Sequence, residues 1–139
     1  NKKEMKALTN KERYITLLYG RQELMHSEYC PVGATVGGMK KGTPCNEICM
    51  TEHFRLKDRM GETFPVMTDI FCRSYIMNGK PKNLLDTSKE ISAMGFTAHR
   101  IDLTTETYEE ATRVVEAFLT EAPLPLEDFN RGHYKRGVD

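Results

Sequence analysis

The sequence predicts an α/β fold in a chain the size of one domain. Three observations support it: β-branched and aromatic runs typical of strands, one amphipathic helix with a clear start signal, and strands alternating with helices near the carboxyl end. The chain has 139 residues, of which 39% are hydrophobic and 29% charged, a composition typical of globular proteins. Residues 1–139 are therefore expected to form a single domain or a fragment of one.

The first half is predicted to consist of strands around one long loop. Its elements are, in order, a strand at 13–19, a Cys/Gly-rich loop at 26–53, a hairpin of 54–59 and 63–68, and a strand at 71–77. The glycines and prolines of the loop disfavour regular structure, and long loops in compact domains are usually functional. Gly61 marks the turn of the hairpin.

The second half alternates helix and strand. Its elements are a helix opening at Pro81 and ending at Gly95, a strand at 96–103, a helix at 107–119, and a basic tail at 127–139. The helix at 107–119 is the clearest, because Thr107 and Glu110 form a capping-box pattern ahead of apolar residues at helical spacing. A strand–helix–strand–helix order favours a parallel sheet with crossover helices.

Composition and charge exclude several classes of protein. The chain carries 20 Lys plus Arg and 20 Asp plus Glu, so its zero net charge does not favour nucleic acid or an anionic membrane. No apolar run approaches the ~20 residues that span a bilayer, and the polar amino terminus lacks the apolar core of a signal peptide. A cytoplasmic location is expected. The chain does not begin with Met, so we expect either that its first residues are disordered or removed or that it is a piece of a longer protein.

Four cysteines provide the main functional signal: Cys30, Cys45, Cys49 and Cys72. Cys45 and Cys49 would point the same way on one helical turn, and the flexible loop could bring Cys30 towards them. Four thiolates suit tetrahedral zinc or an iron–sulfur cluster. Their spacing matches neither the zinc-ribbon nor the ferredoxin pattern, so buried, unrelated thiols remain an equal alternative from spacing alone.

Several segments in order along the chain resemble the U-32 peptidase family, the collagenase-like proteases. The matching segments are YGRQELM at 19–25 leading to Cys30-Pro31, Pro44-Cys45 and Cys49, LKDR at 56–59, FPV at 64–66, CRSYIMN at 72–78 and RGHYKRGV at 131–138. The resemblance implies a modified TIM barrel, of which this chain would be the second half. It also implies a four-iron four-sulfur cluster on the four cysteines, while zinc stays the alternative that four thiolates allow.

The same resemblance implies a peptidase acting on a peptide or protein substrate. Other members resembling this chain serve oxygen-independent hydroxylation of RNA bases or of a quinone precursor, which is the alternative function. A further alternative is a non-catalytic, metal-stabilised module that binds peptides. A homodimer is compatible with each of these.

Other polar residues are candidates for chemistry. His26, four residues before Cys30, is a candidate metal ligand, while the catalytic candidates are His99, Arg100, Asp102 and His133. For Arg100 and Asp102 the simpler alternative is an ion pair on a sheet face, and for His133 a solvated basic tail. No HExxH, GxSxG or P-loop motif is present, and a serine triad can be recognised only by geometry.

Overall fold

The computed structural model describes residues 1–125 and 128–136, which belong to two compact units. The terminal unit comprises Asn1–Arg21 and the chain from Lys80 onward, and the central unit comprises Gln22–Gly79. The elements in chain order are α1 (Lys2–Ala7), β1 (Ile15–Gly20), β2 (Glu23–Ser27), α2 (Pro31–Thr35), β3 (Phe54–Lys57), β4 (Thr63–Thr68), β5 (Ser74–Met77), β6 (Lys82–Asn83), α3 (Ser88–Ala93), β7 (Ala98–Ile101) and α4 (Tyr108–Thr120). Short 3₁₀ turns cover Lys11–Arg13, Ile48–Met50 and Leu85–Thr87.

The terminal unit is built on a three-stranded sheet in the order β6-β1-β7. Strand β1 runs antiparallel to β6, with Tyr19 opposite Asn83, and parallel to β7, with Ile15 opposite Ala98. Its core is one cluster of buried residues: Leu18, Tyr19, Leu84, Leu85, Ile91, Phe96, Val114, Ala117 and Tyr134. Strand β1 and helices α3 and α4 thus bury their apolar faces in a common core.

The central unit is a four-stranded antiparallel sheet in the order β2-β5-β4-β3. Its middle strands are aligned with Val66 of β4 opposite Ile76 of β5, and the edge strand β2 places His26 opposite Tyr75. Helix α2 and the 3₁₀ turn at Ile48–Met50 lie in the long connection between β2 and β3. This connection carries three of the four cysteines.

The expectation of half a TIM barrel is wrong. The strands form two separate sheets that do not close, and β1–β7 is the one parallel pair of named strands among residues 1–125 and 128–136. The reason lies in the connections: β3, β4 and β5 follow one another through short loops, and such loops can join only antiparallel neighbours. A barrel would need a crossover helix between each pair.

Local predictions succeeded where the signal was local. Helix 107–119 is confirmed as α4, with the Glu110 amide donating to Thr107 Oγ1 and the Thr107 amide donating to Glu110 Oε2. The hairpin is confirmed as β3 and β4. The single helix opening at Pro81 is wrong, because that stretch holds β6, a 3₁₀ turn and the short α3 instead.

The ends of the chain were predicted less well. Helix α1 was not predicted, although Asn1 and Glu4 form a capping box. Of the predicted basic tail, residues 128–136 are described, and residues 127 and 137–139 lie outside the described residues. Arg131 pairs with Asp86, and the Tyr134 hydroxyl donates to Glu90 Oε2 at 2.9 Å. The ion pair with Asp86 therefore partly neutralises the charge of Arg131 in the tail.

No helix in the described part of the chain is long and apolar enough to cross a bilayer.

Candidate metal centre

All four cysteines lie in the central unit, and all are free thiols. Cys30 is buried and caps the amino end of α2, whereas Cys72 is exposed. Cys45 and Cys49 are half-buried in the connection that follows α2. The structure therefore places the four predicted ligands in one compact unit.

Gly33 lies between Cys30 and Cys45 in space. Its backbone N–H donates to Cys30 Sγ at 3.2 Å. A Cβ atom at position 33 would lie 3.5 Å from Cys30 Sγ and 3.6 Å from Cys45 Cβ. The two cysteines thus flank a glycine whose missing side chain leaves space between them.

Backbone contacts hold the segment with Cys45 and Cys49 against α2. The Asn46 amide donates to the Gly37 carbonyl at 2.9 Å, just past the carboxyl end of α2. The 3₁₀ turn Ile48–Met50, which contains Cys49, packs against α2. The chain thereby folds back so that three cysteines lie around one short helix.

Cys72 comes from the loop that joins β4 and β5. The prediction that it begins a strand is wrong, because β5 starts at Ser74 and Cys72 has a left-handed backbone, with φ of 60°. Partial loss of hydration raises the pKa of its thiol, and negative charge on Cys45, Cys30 and Cys49 raises it further. Cys72 is thus within electrostatic reach of the other three.

Asp69 holds the loop that carries Cys72. Loss of hydration raises the pKa of its carboxyl, but hydrogen bonds from Arg73, Phe71 and Tyr75 outweigh that effect and lower the pKa to about 2. Arg73 also forms an ion pair with Asp69 at 2.6 Å. The carboxylate is therefore charged over the whole physiological range and neutralised by its partner.

The thiols are near one another without being arranged for coordination. Among residues 1–125 and 128–136, no three His, Cys, Asp or Glu side chains are close enough together to hold a metal ion as they stand. His26, the fifth predicted ligand, stacks on the Tyr75 ring with centroids 4.8 Å apart. Metal binding would require side-chain and loop adjustments around α2.

The catalytic candidate His99 lies on strand β7 of the terminal unit, between Thr16 of β1 and Ser92 of α3. Thr16 Oγ1 is 2.6 Å from its Nδ1, and Ser92 Oγ is 2.8 Å from its Nε2. Since the Thr16 hydroxyl donates to the Ala98 carbonyl at 3.3 Å, the hydrogen-bond network assigns the ring proton to Nδ1. Nε2 is then the acceptor for the Ser92 hydroxyl.

A surface pocket of about 420 Å³ opens beside this pair. Ser92 and His99 line it together with Phe118 and Leu119. Burial lowers the pKa of His99, which keeps the ring neutral near pH 7. A neutral imidazole next to a hydroxyl is the chemical arrangement of a general base beside a nucleophile.

The other catalytic candidates have separate partners. Arg100 and Asp102 pair with each other, as the simpler alternative had it, with Arg100 exposed. His133 is exposed in the turn after Arg131. Sequence reasoning missed Thr16, Gly33 and Ser92 as site residues, because no motif in the chain marks them.

Comparison with known proteins finds no matching family model, no matching curated protein and no matching solved structure.

Proposed function

We propose that the chain is part of a peptidase resembling the U-32 family, whose central unit holds an iron–sulfur cluster or a zinc ion on four cysteines. The observation that carries the metal site is the arrangement at Gly33, where Cys30 and Cys45 flank a residue without a side chain. An amide N–H directed at a cysteine sulfur is typical of ligating thiolates, whose charge it helps to disperse.

The donor set fits such a group in chemistry and in neighbourhood. Four free thiols in one unit match the preference of zinc and of iron–sulfur clusters for cysteine sulfur. Metal binding would require the four thiols to move closer together, because the described donors do not form a coordinating group as they stand. Gly38 and Gly42, both with positive φ, lie between Cys30 and Cys45 and give that loop freedom to close.

A bound cluster would supply electron transfer or activation of a substrate, whereas zinc would supply folding free energy or Lewis acidity. The chain's own residues would hold the group and shape its surroundings. The hydroxylation of RNA bases or of a quinone precursor, and a non-catalytic peptide-binding module, are the alternatives that share this site.

The test is elemental and sulfide analysis of the chain purified without oxygen. About four iron and four sulfide per chain with visible absorption would support the cluster, and one zinc without sulfide would support the zinc site. Substoichiometric amounts of both iron and zinc would contradict the proposal. A Cys30→Ser/Cys45→Ser double variant is the matched control and should lose the metal.

A hydrogen-bonded serine and histidine in the terminal unit support hydrolysis as the reaction. Ser92 Oγ is hydrogen-bonded to His99 Nε2, and Thr16 orients the ring from the other side. A nucleophile, a base and an orienting group in sequence are the arrangement expected for acyl transfer. Covalent labelling by a fluorophosphonate probe should occur on wild type and vanish in Ser92→Ala and His99→Gln. Labelling that persists in Ser92→Ala, or that is absent from wild type, would contradict this function.

A further inference from the structure

Two loops of the central sheet have the same architecture. Asp58–Glu62 joins β3 to β4, and Asp69–Arg73 joins β4 to β5, with five residues in each loop. In both loops the first residue is an aspartate whose backbone amide donates to the carbonyl of the fifth residue, at 2.9 Å and 3.1 Å respectively. The amide of the fourth residue donates back to the aspartate carbonyl, at 3.2 Å and 3.0 Å.

The aspartate side chains act in the same way as well. Asp58 Oδ1 accepts from the amides of Met60 and Glu62 at 2.8 Å and 2.9 Å. Asp69 Oδ1 accepts from the amides of Phe71 and Arg73 at 2.9 Å and 3.0 Å. The two loops therefore form an internal pair in which one can serve as the control for the other.

The two loops differ in the identity of their fourth residue, although the backbone at that residue is left-handed in both. The first loop has Gly61 there, with φ of 90°, and the second has Cys72, with φ of 60°. Glycine is the usual residue at this position of a hairpin loop, because a Cβ atom is disfavoured in the left-handed region. The second loop thus keeps a thiol at a position where glycine would be more stable.

Asp69 makes additional hydrogen bonds through its second oxygen. Asp69 Oδ2 accepts from Arg73 Nε at 2.7 Å and from the Tyr75 hydroxyl at 3.1 Å. One carboxylate therefore fixes the amides on both sides of Cys72 and ties the loop to strand β5. Strained backbone persists only where its surroundings hold it in this manner.

We propose that Asp69 is a positioning residue for the four-cysteine site, holding Cys72 in its left-handed conformation so that the thiol is available as a ligand. This inference rests on the proposed metal site. Arg73 has a supporting role, because its charge offsets that of Asp69 beside the proposed cysteine ligands. The strain at Cys72 is the structural cost of placing a ligand in a turn.

The first test separates stability from ligation at Cys72. Cys72→Gly should raise the melting temperature of the metal-free protein by about 2–4 °C, since it relieves the left-handed strain. The same variant should lose metal, whereas Cys72→Ser should lose metal without the gain in melting temperature. A Cys72→Gly protein that melts at or below the wild-type temperature would overturn the claim that Cys72 is held against strain.

The second test compares the twin loops. Asp58→Ala and Asp69→Ala each remove a carboxylate that binds two loop amides, so both should lower the melting temperature of the metal-free protein. Only Asp69→Ala should weaken metal binding, by about tenfold as for other residues that support a ligand, and alter the visible spectrum. Asp69→Asn, which keeps an oxygen acceptor, should fall between Asp69→Ala and wild type.

The outcomes distinguish the two proposals. A wild-type chain that binds no metal overturns the metal site and, with it, the role of Asp69. A wild-type chain that binds metal while both Asp69 variants match it in affinity and spectrum overturns only the role of Asp69. Equal loss of metal in Asp58→Ala and Asp69→Ala would also overturn it, because the effect would then be one of general stability.

Discussion

Ser92 Oγ lies 2.8 Å from Nε2 of His99, which joins helix α3 to strand β7 through a side-chain hydrogen bond. The ring is held from its other side by Thr16 on β1, so both nitrogens have a partner. Phe118 of α4 contacts the ring edge-on, with centroids 6.3 Å apart. This packing removes hydration that the charged ring would need, and burial therefore lowers the pKa of His99.

The first prediction concerns pH. Because the pKa of His99 is lower in the folded protein, the unfolded chain binds the proton more readily, and stability falls as the pH drops below the ordinary histidine value. His99→Gln should remove this dependence, so the difference in unfolding free energy between wild type and variant should shrink from pH 7.5 to pH about 5.5. Urea titrations at the two pH values measure it.

The matched control for this prediction is His53→Gln, which removes one exposed histidine from the central unit. Parallel pH dependence of wild type and His99→Gln would contradict the prediction. A difference that grows as the pH falls would mean that the folded state stabilises the charged ring, the opposite of what burial predicts.

The second prediction concerns the start of α4. Thr107→Ala removes the hydroxyl that accepts from the Glu110 amide, and it should lower the unfolding free energy by about 1 kcal/mol. Thr112→Ala is the control, because Thr112 is half-buried in the same helix and its hydroxyl donates to the Tyr108 carbonyl of that helix. Thermal unfolding should show a loss for position 107 and no loss for position 112; equal losses would contradict the capping role.

The sequence predicted what depends on neighbouring residues and missed what depends on distant pairing. The Thr107–Glu110 capping box is encoded within four residues, and so is the Gly61 turn, and both were correctly predicted. The half barrel failed because the pattern of strands and helices does not reveal that β6 runs antiparallel to β1. Strand direction is decided by contacts across many intervening residues.

The candidate site shows the same division. The four cysteines could be singled out by residue type and by resemblance, but the glycine between two of them could not. Gly33 contributes the space left by its missing side chain and a backbone N–H directed at Cys30 Sγ, and neither is visible in the sequence. The Ser92–His99–Thr16 set joins residues from three separate elements. Such sets are defined by geometry and leave no spacing rule in the chain.

The third prediction concerns the core of the terminal unit. Leu18 is fully buried at the centre of the sheet, and Leu18→Ala should lower the unfolding free energy by about 2–5 kcal/mol through lost burial and a cavity. Leu119→Ala, the control, removes a side chain that is 72% exposed and should change stability by about 0.5 kcal/mol or less. Chemical denaturation measures both, and similar effects at the two sites would contradict the assigned core.

The fourth prediction concerns metal removal. If metal draws the four thiols together, removing it should speed amide hydrogen exchange around Gly33 and in the loop at Asp69–Arg73, which carry ligands. Exchange in β1 and α4 should not change, since these elements belong to the terminal unit. Hydrogen-exchange mass spectrometry before and after chelation measures this. Uniform change across both units, or no change near the cysteines, would contradict a local site.

The last prediction uses Gly33 to separate helix stability from ligation. Gly33→Ala should stabilise the metal-free protein by about 0.5 kcal/mol, because alanine is favoured over glycine inside a helix and the added Cβ has ordinary contact distances. It should nevertheless weaken metal binding, because that Cβ fills the space between Cys30 and Cys45. Ala34→Gly is the reciprocal control: it should destabilise the metal-free protein and leave metal affinity unchanged. Metal titration and thermal unfolding of the two variants measure both effects. If affinity simply followed stability in both variants, Gly33 would serve the helix alone, and the space beside Cys30 would not belong to a metal site.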